Sequence, residues 1–413
     1  MTADGQSARP RDAAMVFIFI TVLLDMLSLG IIIPVWPRLV VNFLSGDNVR
    51  AAEIFGQIGT AWAAMQFVFS PIQGALSDRF GRRPIILLSN LGEGLDYFVM
   101  AWAPSLAWLL LGRLVSGATA ASISSAYAYI ADVTPPEKRA GRYGLLGAAF
   151  GIGFVLGPAV GGLLGELGPR IPFWFAGALS LANFAYGFFV LPESLAQDRR
   201  RPFLWGRANP VASLVLLRSH PELWGLAIVY FLGQLAHVVL PSTFVLYAGY
   251  RYGWTEWAVG LTLAGVGICS AVVQAGLVRR AVAWFGERRA LMIGLACGAV
   301  GFAIYGIAPN GFWFLIGIPI MSFWGFANPA TQGLMTRLVG ATEQGQLQGA
   351  NSSMTGIAGM IGPSLFTLSF AFVIDPARSV HVPGTPFLLA SAMLVAALVL
   401  VVRASGAAPV KHA

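Results

Sequence analysis

The chain of 413 residues is 57% apolar, has a mean hydropathy of +0.72, and carries charge on only 11% of its residues. That is more apolar surface than a soluble domain buries, which excludes a soluble enzyme or a disordered chain and points to a membrane protein. The net charge of +8 sits in basic clusters that never interleave with exposed aromatics, so it reads as contact with anionic lipid head groups and not as nucleic-acid binding.

A spanning helix needs about 20 apolar residues, and twelve segments of that kind follow one another. In the first half they cover 15–42, 53–76, 84–103, 105–131, 141–165 and 172–192; in the second, 221–248, 255–281, 289–308, 311–336, 346–373 and 385–403. The runs are continuously apolar and do not alternate, which predicts helices and not barrel strands, an all-α membrane protein. The first segment carries Asp25 and is followed by no small-residue cleavage site, so it reads as a retained span and not as a signal peptide. Cys269 and Cys297 lie inside spans and read as small packing residues, with no disulfide or metal site implied.

The two halves repeat. One offset of 205 residues carries Gly81 onto Gly286, Gly144 onto Gly349, Gly151 onto Gly356 and Gly157-Pro158 onto Gly362-Pro363. Expected domains are an N-terminal tail (1–14), a six-helix bundle (15–192), a basic linker (193–220), a second six-helix bundle (221–403) and a C-terminal tail (404–413), the parallel-repeat plan of a secondary transporter. Most of the 26 Lys and Arg fall on the side that holds both termini and the linker. The positive-inside rule makes that side cytoplasmic, in a multi-pass protein of the cell inner membrane.

Charges inside the spans are few: Asp25, Glu93, Asp96 and Arg113, all in the first half. Each costs several kcal/mol in lipid, so each is expected to face a partner or a cavity. Glu93 and Asp96 are spaced i, i+3 on one helix face, with Arg113 as the counter-ion. Two readings are open: a proton relay that couples to movement of the bundles, or a static ion-pair network that fixes helix packing. Gly153, Gly157 and Gly161 are spaced i, i+4, i+8 beside Pro158 and Gly162. They are expected where the two bundles meet, either gating closure or only packing. Polar candidates for substrate contact are Tyr97, Tyr127, Gln234, His237, Gln274, Asn328, Gln332 and Asn351, although single polar residues in membrane helices more often bond to a neighbouring helix. One buried cation is too few for phosphate, and the set suits an amphipathic or cationic organic compound. No nucleophile and base pair, metal-ligand cluster or nucleotide loop is present in the sequence, so neither catalysis, a cofactor nor ATP drive is expected; a proton gradient is the expected driving force.

The stretch Gly74-x-x-x-Asp78-Arg79-x-Gly81-Arg82-Arg83 resembles the loop between helices two and three of the major facilitator superfamily. Leu109-x-x-x-Arg113-x-x-x-Gly117 is similar to that superfamily's helix-four motif, and Gly153-x-x-x-Gly157-Pro158-x-x-Gly161-Gly162 to its antiporter motif in helix five. Asp25-x-x-x-x-Gly30-x-x-x-Pro34, Leu95-Asp96-Tyr97, Tyr129-Ile-Ala-Asp132, Leu191-Pro-Glu-Ser194, Gly286-Glu-Arg-Arg289 and Gln344-Gly-Gln-Leu-Gln-Gly349 resemble the twelve-helix tetracycline/H+ antiporter branch. The resemblance implies functional roles for Asp25, Asp96 and Arg113, and a conformational role for Asp78 and Asp132. The branch's helix-eight histidine and helix-nine aspartate align with Ser270 and Gly298, while Gln274 matches; this leaves tetracycline and any magnesium chelate open as cargo.

The expected function is therefore a secondary transporter, a proton-coupled antiporter that exports a small hydrophobic or amphipathic organic compound by alternating access and works as a monomer. Uptake by symport or facilitated diffusion is the rival within transport, and a non-transporting receptor or scaffold the rival outside it. Gly74, Asp78, Arg79, Gly81, Arg82 and Arg83, with Asp132, are expected to form a latch on the cytoplasmic side. In it Asp78 accepts from a helix amino end or from Arg82. The second-half copy, Gly276–Arg289, lacks the acid, so the latch is expected on one side only.

Overall fold

The computed structural model describes residues 8–403 apart from Leu204, Gly206–Ala208 and Ala341. The C-terminal tail, the first seven residues and Arg207 of the linker lie outside the described residues. Every regular element among those described is helical, as it must be where lipid offers backbone groups no hydrogen bonds.

The first half holds six helices. α1 (Ala8–Ile32) breaks before Pro34 and resumes as Trp36–Phe43; α2 is Asn48–Phe80 and α3 Arg82–Trp102. α4 is split into Leu106–Thr119 and Ser122–Val133, α5 is Pro136–Leu167 and α6 Ile171–Val190. In the second half α7 comprises Trp224–His237 and Val239–Tyr252. α8 begins as Glu256–Val272, passes through a π-turn at Val273–Leu277, and continues into the run Val278–Ile307. That run bends at Gly286 (φ 76, ψ 160), and the part beyond the bend is α9. α10 is Gly311–Ser322 and Ala327–Thr336 joined by a 3-10 turn (Phe323–Phe326), α11 is Gln344–Ile374 and α12 Thr385–Arg403. By length and apolarity alone nine segments qualify as spans, with Glu256–Ile307 counted as one. Dividing that run at Gly286 and adding α2 and α3, long enough at 33 and 21 residues but more polar, gives the twelve helices. Gly81, between α2 and α3, has φ 109, so the residues paired by the repeat share a left-handed backbone that other residues rarely adopt.

Contacts divide the chain into two compact units. One takes in the chain through Phe43, Ala64–Asn209 and Thr255–Ala264; the other takes in Leu44–Ala63, Pro210–Trp254 and the chain from Gly265. Within the first unit Ile18, Val22, Ile86, Tyr129, Ile130, Leu146 and Ala149 form a buried apolar core. In the second, Tyr247, Phe302, Tyr305, Phe314 and Phe387 form an aromatic cluster in which Tyr305 stacks on Phe314 at 4.1 Å.

Each unit contains a helix with proline and glycines at a close crossing. In the first unit Gly153, Gly157 and Gly161 face Met26, Gly30 and Ile31 of α1, while Pro158 and Gly162 face Gly260 and Glu256 of α8. Three of the five motif residues thus serve packing against α1 of the same half, because α1 presents Gly30 at the crossing. In the second unit Pro363 of α11 lies against Gly56 and Gly59 of α2, and Thr60 Oγ1 donates to the Met360 carbonyl at 2.9 Å.

A Cβ at position 157 would stand 2.6 Å from the Gly30 Cα, whereas one at Gly151 would meet nothing within 4 Å. Gly157→Ala is expected to cost about 1–3 kcal/mol through overpacking, and Gly151→Ala to be neutral or stabilising by up to about 1 kcal/mol. Thermal unfolding of the two variants in detergent, followed by tryptophan fluorescence, measures the contrast.

Candidate functional site

All four intramembrane charges meet in the first unit. Asp96 of α3 and Arg113 of α4, 1% and 7% exposed, form an ion pair. Gly112 leaves room for the Asp96 carboxylate against α4. The Arg113 guanidinium carbon lies 5.8 Å from the ring centroids of both Trp36 and Tyr97, so two aromatic rings stand beside the cation. The Tyr97 hydroxyl donates to Glu93, the Ser122 hydroxyl donates to Asp25, and Glu93 and Asp25 stand within hydrogen-bond reach of one another.

The cluster therefore has two parts. Residues i and i+3 differ by about 60° around a helix, enough to send Asp96 toward α4 and Glu93 toward α1. One carboxylate is neutralised by a bonded cation. The other two carboxyl groups face each other with hydroxyl donors on either side.

Ser122 reaches Asp25 because α4 is broken just before it. The interruption at Ala120 and Ala121 is met by side chains: Gln73 donates to the Ala118 carbonyl, and the Ala121 amide donates to Ser89 Oγ at 3.2 Å. Lipid-depth backbone is tolerated in this form only where such partners exist. The single helix expected over 105–131 is thus two, and Trp36, Gln73, Ser89 and Ser122 join the site although no motif in the sequence marks them. The signal in the sequence is the run of small residues from Gly117 to Ser122, with no proline in it.

A second cluster lies at the basic end of this unit. Arg82 donates to Asp78 Oδ1 at 2.5 Å, to Asp132 Oδ2 at 3.0 Å and to Ser77 Oγ at 3.2 Å. Burial alone would lower the pKa of this guanidinium, but the bonds to Asp132 and Asp78 outweigh it and hold the pKa above the ordinary value. Glu193, outside the expected latch residues, accepts from the Arg82 amide at 2.8 Å, the Arg83 amide at 3.2 Å and the Ser194 and Leu195 amides at 2.9 Å. It thereby caps α3 from more than a hundred residues away, placing negative charge at a helix amino end. Ser194 Oγ completes the ring by donating to Asp132 at 3.1 Å. Gly81 is required twice, by its positive φ and because a Cβ there would strike the Glu193 carboxylate. Arg83 donates to the Phe188 carbonyl. Gly74 faces open space within 4 Å, and Arg79 lies 5.0 Å over the Phe80 ring, so neither takes part in these bonds. In the second half Glu287 accepts from Arg337 at 2.9 Å.

Of the expected substrate-contacting residues, Tyr97 belongs to the ion cluster and Tyr127 packs on Tyr143 at 5.3 Å. The others lie in the second unit. Gln234 donates to Tyr230 and Thr355, both at 2.8 Å, and Gln332 donates to Asn328 at 3.0 Å. His237 lies 5.6 Å from the Trp324 ring, Gln274 sits in the π-turn beside Gly325, and Asn351 is buried with no side-chain hydrogen-bond partner among the described residues.

Twelve helices in two repeated halves, with a paired charge network inside the first and broken helices at membrane depth, are the features of a multi-pass membrane transporter. Residues 18–363 match the family model of the Major Facilitator Superfamily, and the chain belongs to that family. It is 38% identical over 359 residues to the tetracycline resistance protein, class C, of Escherichia coli, covering 87% of this chain and 90% of that one. It is 36% identical over 351 residues to the class B protein of Escherichia coli, covering 84% and 86%. The human organic anion transporter MFSD10 (TETRAN) superposes with a TM-score of 0.70 at 24% identity, over 95% of this chain and 99% of that chain, and so shares the fold.

If Glu193 caps α3, Glu193→Gln should lower stability by about 1–2 kcal/mol. Gly81→Ala acts on the same contact, so the double variant should lose less than the sum of the two single losses. Thermal unfolding of the three variants provides the cycle.

Proposed function

We propose that this chain is a proton-coupled antiporter of the cell inner membrane that exports a small hydrophobic or amphipathic organic compound, tetracycline-like in being a resistance substrate. The observation that supports the reading is the grouping of the buried charges, with Asp96 bonded to Arg113 and the Asp25 and Glu93 carboxyl groups facing each other beside hydroxyl donors. A proton leaving the second pair exposes a net negative charge that an entering substrate or a rearranged Arg113 can answer. A proton arriving from outside resets it. Relatives named for tetracycline resistance, and a multidrug resistance protein of Bacillus subtilis 29% identical over 349 residues, support export of organic compounds.

In this reading the bundles 15–192 and 221–403, joined by the linker 193–220, alternate access to the two sides, with both termini in the cytoplasm. Asp78, Arg82, Asp132 and Glu193 latch the cytoplasmic side. Protons, one organic substrate and the bilayer are the only partners required, with no cofactor and a monomer as the working unit.

In proteoliposomes with an imposed pH gradient, substrate and proton fluxes should run in opposite directions; parallel fluxes would establish symport instead. Asp25→Asn and Glu93→Gln should each reduce proton-driven transport by at least about tenfold, the loss of one charge-assisted hydrogen bond. Undiminished proton-driven transport in both variants would remove the pair as the proton carrier.

A further inference from the structure

The second segment of α4 carries a polar row from one charge cluster of the first unit to the other. Ser122, Ser125, Tyr129 and Asp132 are spaced i, i+3, i+7 and i+10, which keeps them on one helix face. The first is bonded to Asp25 and the last to Arg82. At 1.5 Å per residue the row spans about 15 Å, from the carboxyl pair at membrane depth to the ring of bonds at the basic end.

The middle of the row is buried and lacks partners. Ser125 and Tyr129 are at most 3% exposed, yet neither hydroxyl has a hydrogen-bond partner among the described residues. The Tyr129 hydroxyl stands close enough to Glu193 and Arg83 for both charges to act on it, so it reaches the basic-end cluster. Neighbouring helices show the same feature. Thr21 lies one turn before Asp25 on α1, and Asn90 lies between Arg82 and Glu93 along α3, one turn before Glu93. Both are buried, and the Thr21 hydroxyl and both polar atoms of the Asn90 amide are also unpartnered. Val22, next to Thr21, and Ile86, one turn before Asn90, pack in one apolar core with Tyr129, which sets α1 and α3 beside the row. Buried polar groups without protein partners are usually answered by water, each molecule bonding several of them.

We propose that Thr21, Asn90, Ser125 and Tyr129 hold a file of buried water that carries the proton between the Asp25 and Glu93 pair and Asp132. The proposal rests on the antiporter reading and deepens it by giving the proton a route toward the basic end. Hydroxyl groups and water both donate and accept. A proton given up by the carboxyl pair passes to the adjoining hydroxyl or water oxygen, which releases one of its own to the next. One proton enters the row, one leaves it at the partly exposed Asp132 carboxylate, and no group between them changes charge. Ile18, Val22 and Ile86 seal the sides of the file with apolar surface.

X-ray radiolysis of the purified protein, which oxidises side chains beside bound water, tests the file without reference to any cargo. Tyr129 should be labelled at least about tenfold faster than Tyr247, which is equally buried but has its hydroxyl bonded to the Tyr305 carbonyl and to Tyr252. Tyr129→Phe and Ser125→Ala each remove one oxygen, and their thermal unfolding should match that of wild type. In proteoliposomes each should slow tetracycline transport driven by a pH gradient by at least about tenfold. Exchange of internal for external tetracycline, which moves no net proton, should lose at least about fivefold less. Tyr129 labelled no faster than Tyr247, pH-driven transport by both variants at the wild-type rate, or equal loss of the two transport modes would each overturn the proposal. A wild type that moves no tetracycline under a pH gradient would instead count against the exporter reading, while the labelling of Tyr129 judges the file on its own.

Discussion

The Asp96–Arg113 ion pair is the constraint around which the first half is arranged. Two charges at membrane depth are tolerable only when they meet, and meeting requires α3 and α4 to approach until the Asp96 carboxylate touches the surface left by Gly112. Trp36 and Tyr97 stand beside the cation. Asp25 and Glu93 face each other beside hydroxyl donors, and Arg113 stands close enough to Glu93 to act on it as well. The broken α4, which delivers Ser122 to Asp25, belongs to the same arrangement.

Small residues play the complementary part. Where Gly157 crosses Gly30, and where Gly294, Gly298 and Gly301 receive the turn of α10, the backbones come closer than any side chain permits. The two crossings differ in consequence. The first fixes α1, and with it Asp25, against α5; the second seats the turn of α10 against α9 in the second unit. Gly81 acts differently again, through its left-handed backbone and the space it leaves for Glu193, so that a turn in the loop and a carboxylate beyond α6 become one cap on α3.

Much of this was legible in the sequence because it is local or periodic. The twelve apolar runs mark the helices, and the constant offset pairs Gly81 with Gly286, whose backbones share a positive φ. Asp78, Arg82 and Asp132 come together as their motif suggests. What stayed hidden depends on partners distant in the chain. Glu193 meets residues 82 and 83 only after four helices have folded between them, and nothing in Leu191-Pro-Glu-Ser194 names its target. The break in α4 lies in a run of alanine, serine and threonine that reads as good helix, and it persists because Gln73 and Ser89 answer the freed backbone groups. Gly298 departs visibly from the resembling branch, but the approach of Leu394 and Trp324 to it is a matter of packing.

Asp25 and Glu93 are proposed to hold one exchangeable proton that leaves when substrate enters. Proton release on substrate binding measures this directly: purified protein in weakly buffered detergent solution, with a pH indicator, titrated with tetracycline. Wild type is predicted to release about one proton per bound molecule, and Glu93→Gln to release none while Asp96 and Arg113 stay paired. Equal proton release from wild type and Glu93→Gln, or saturable binding with no release from wild type, would contradict it.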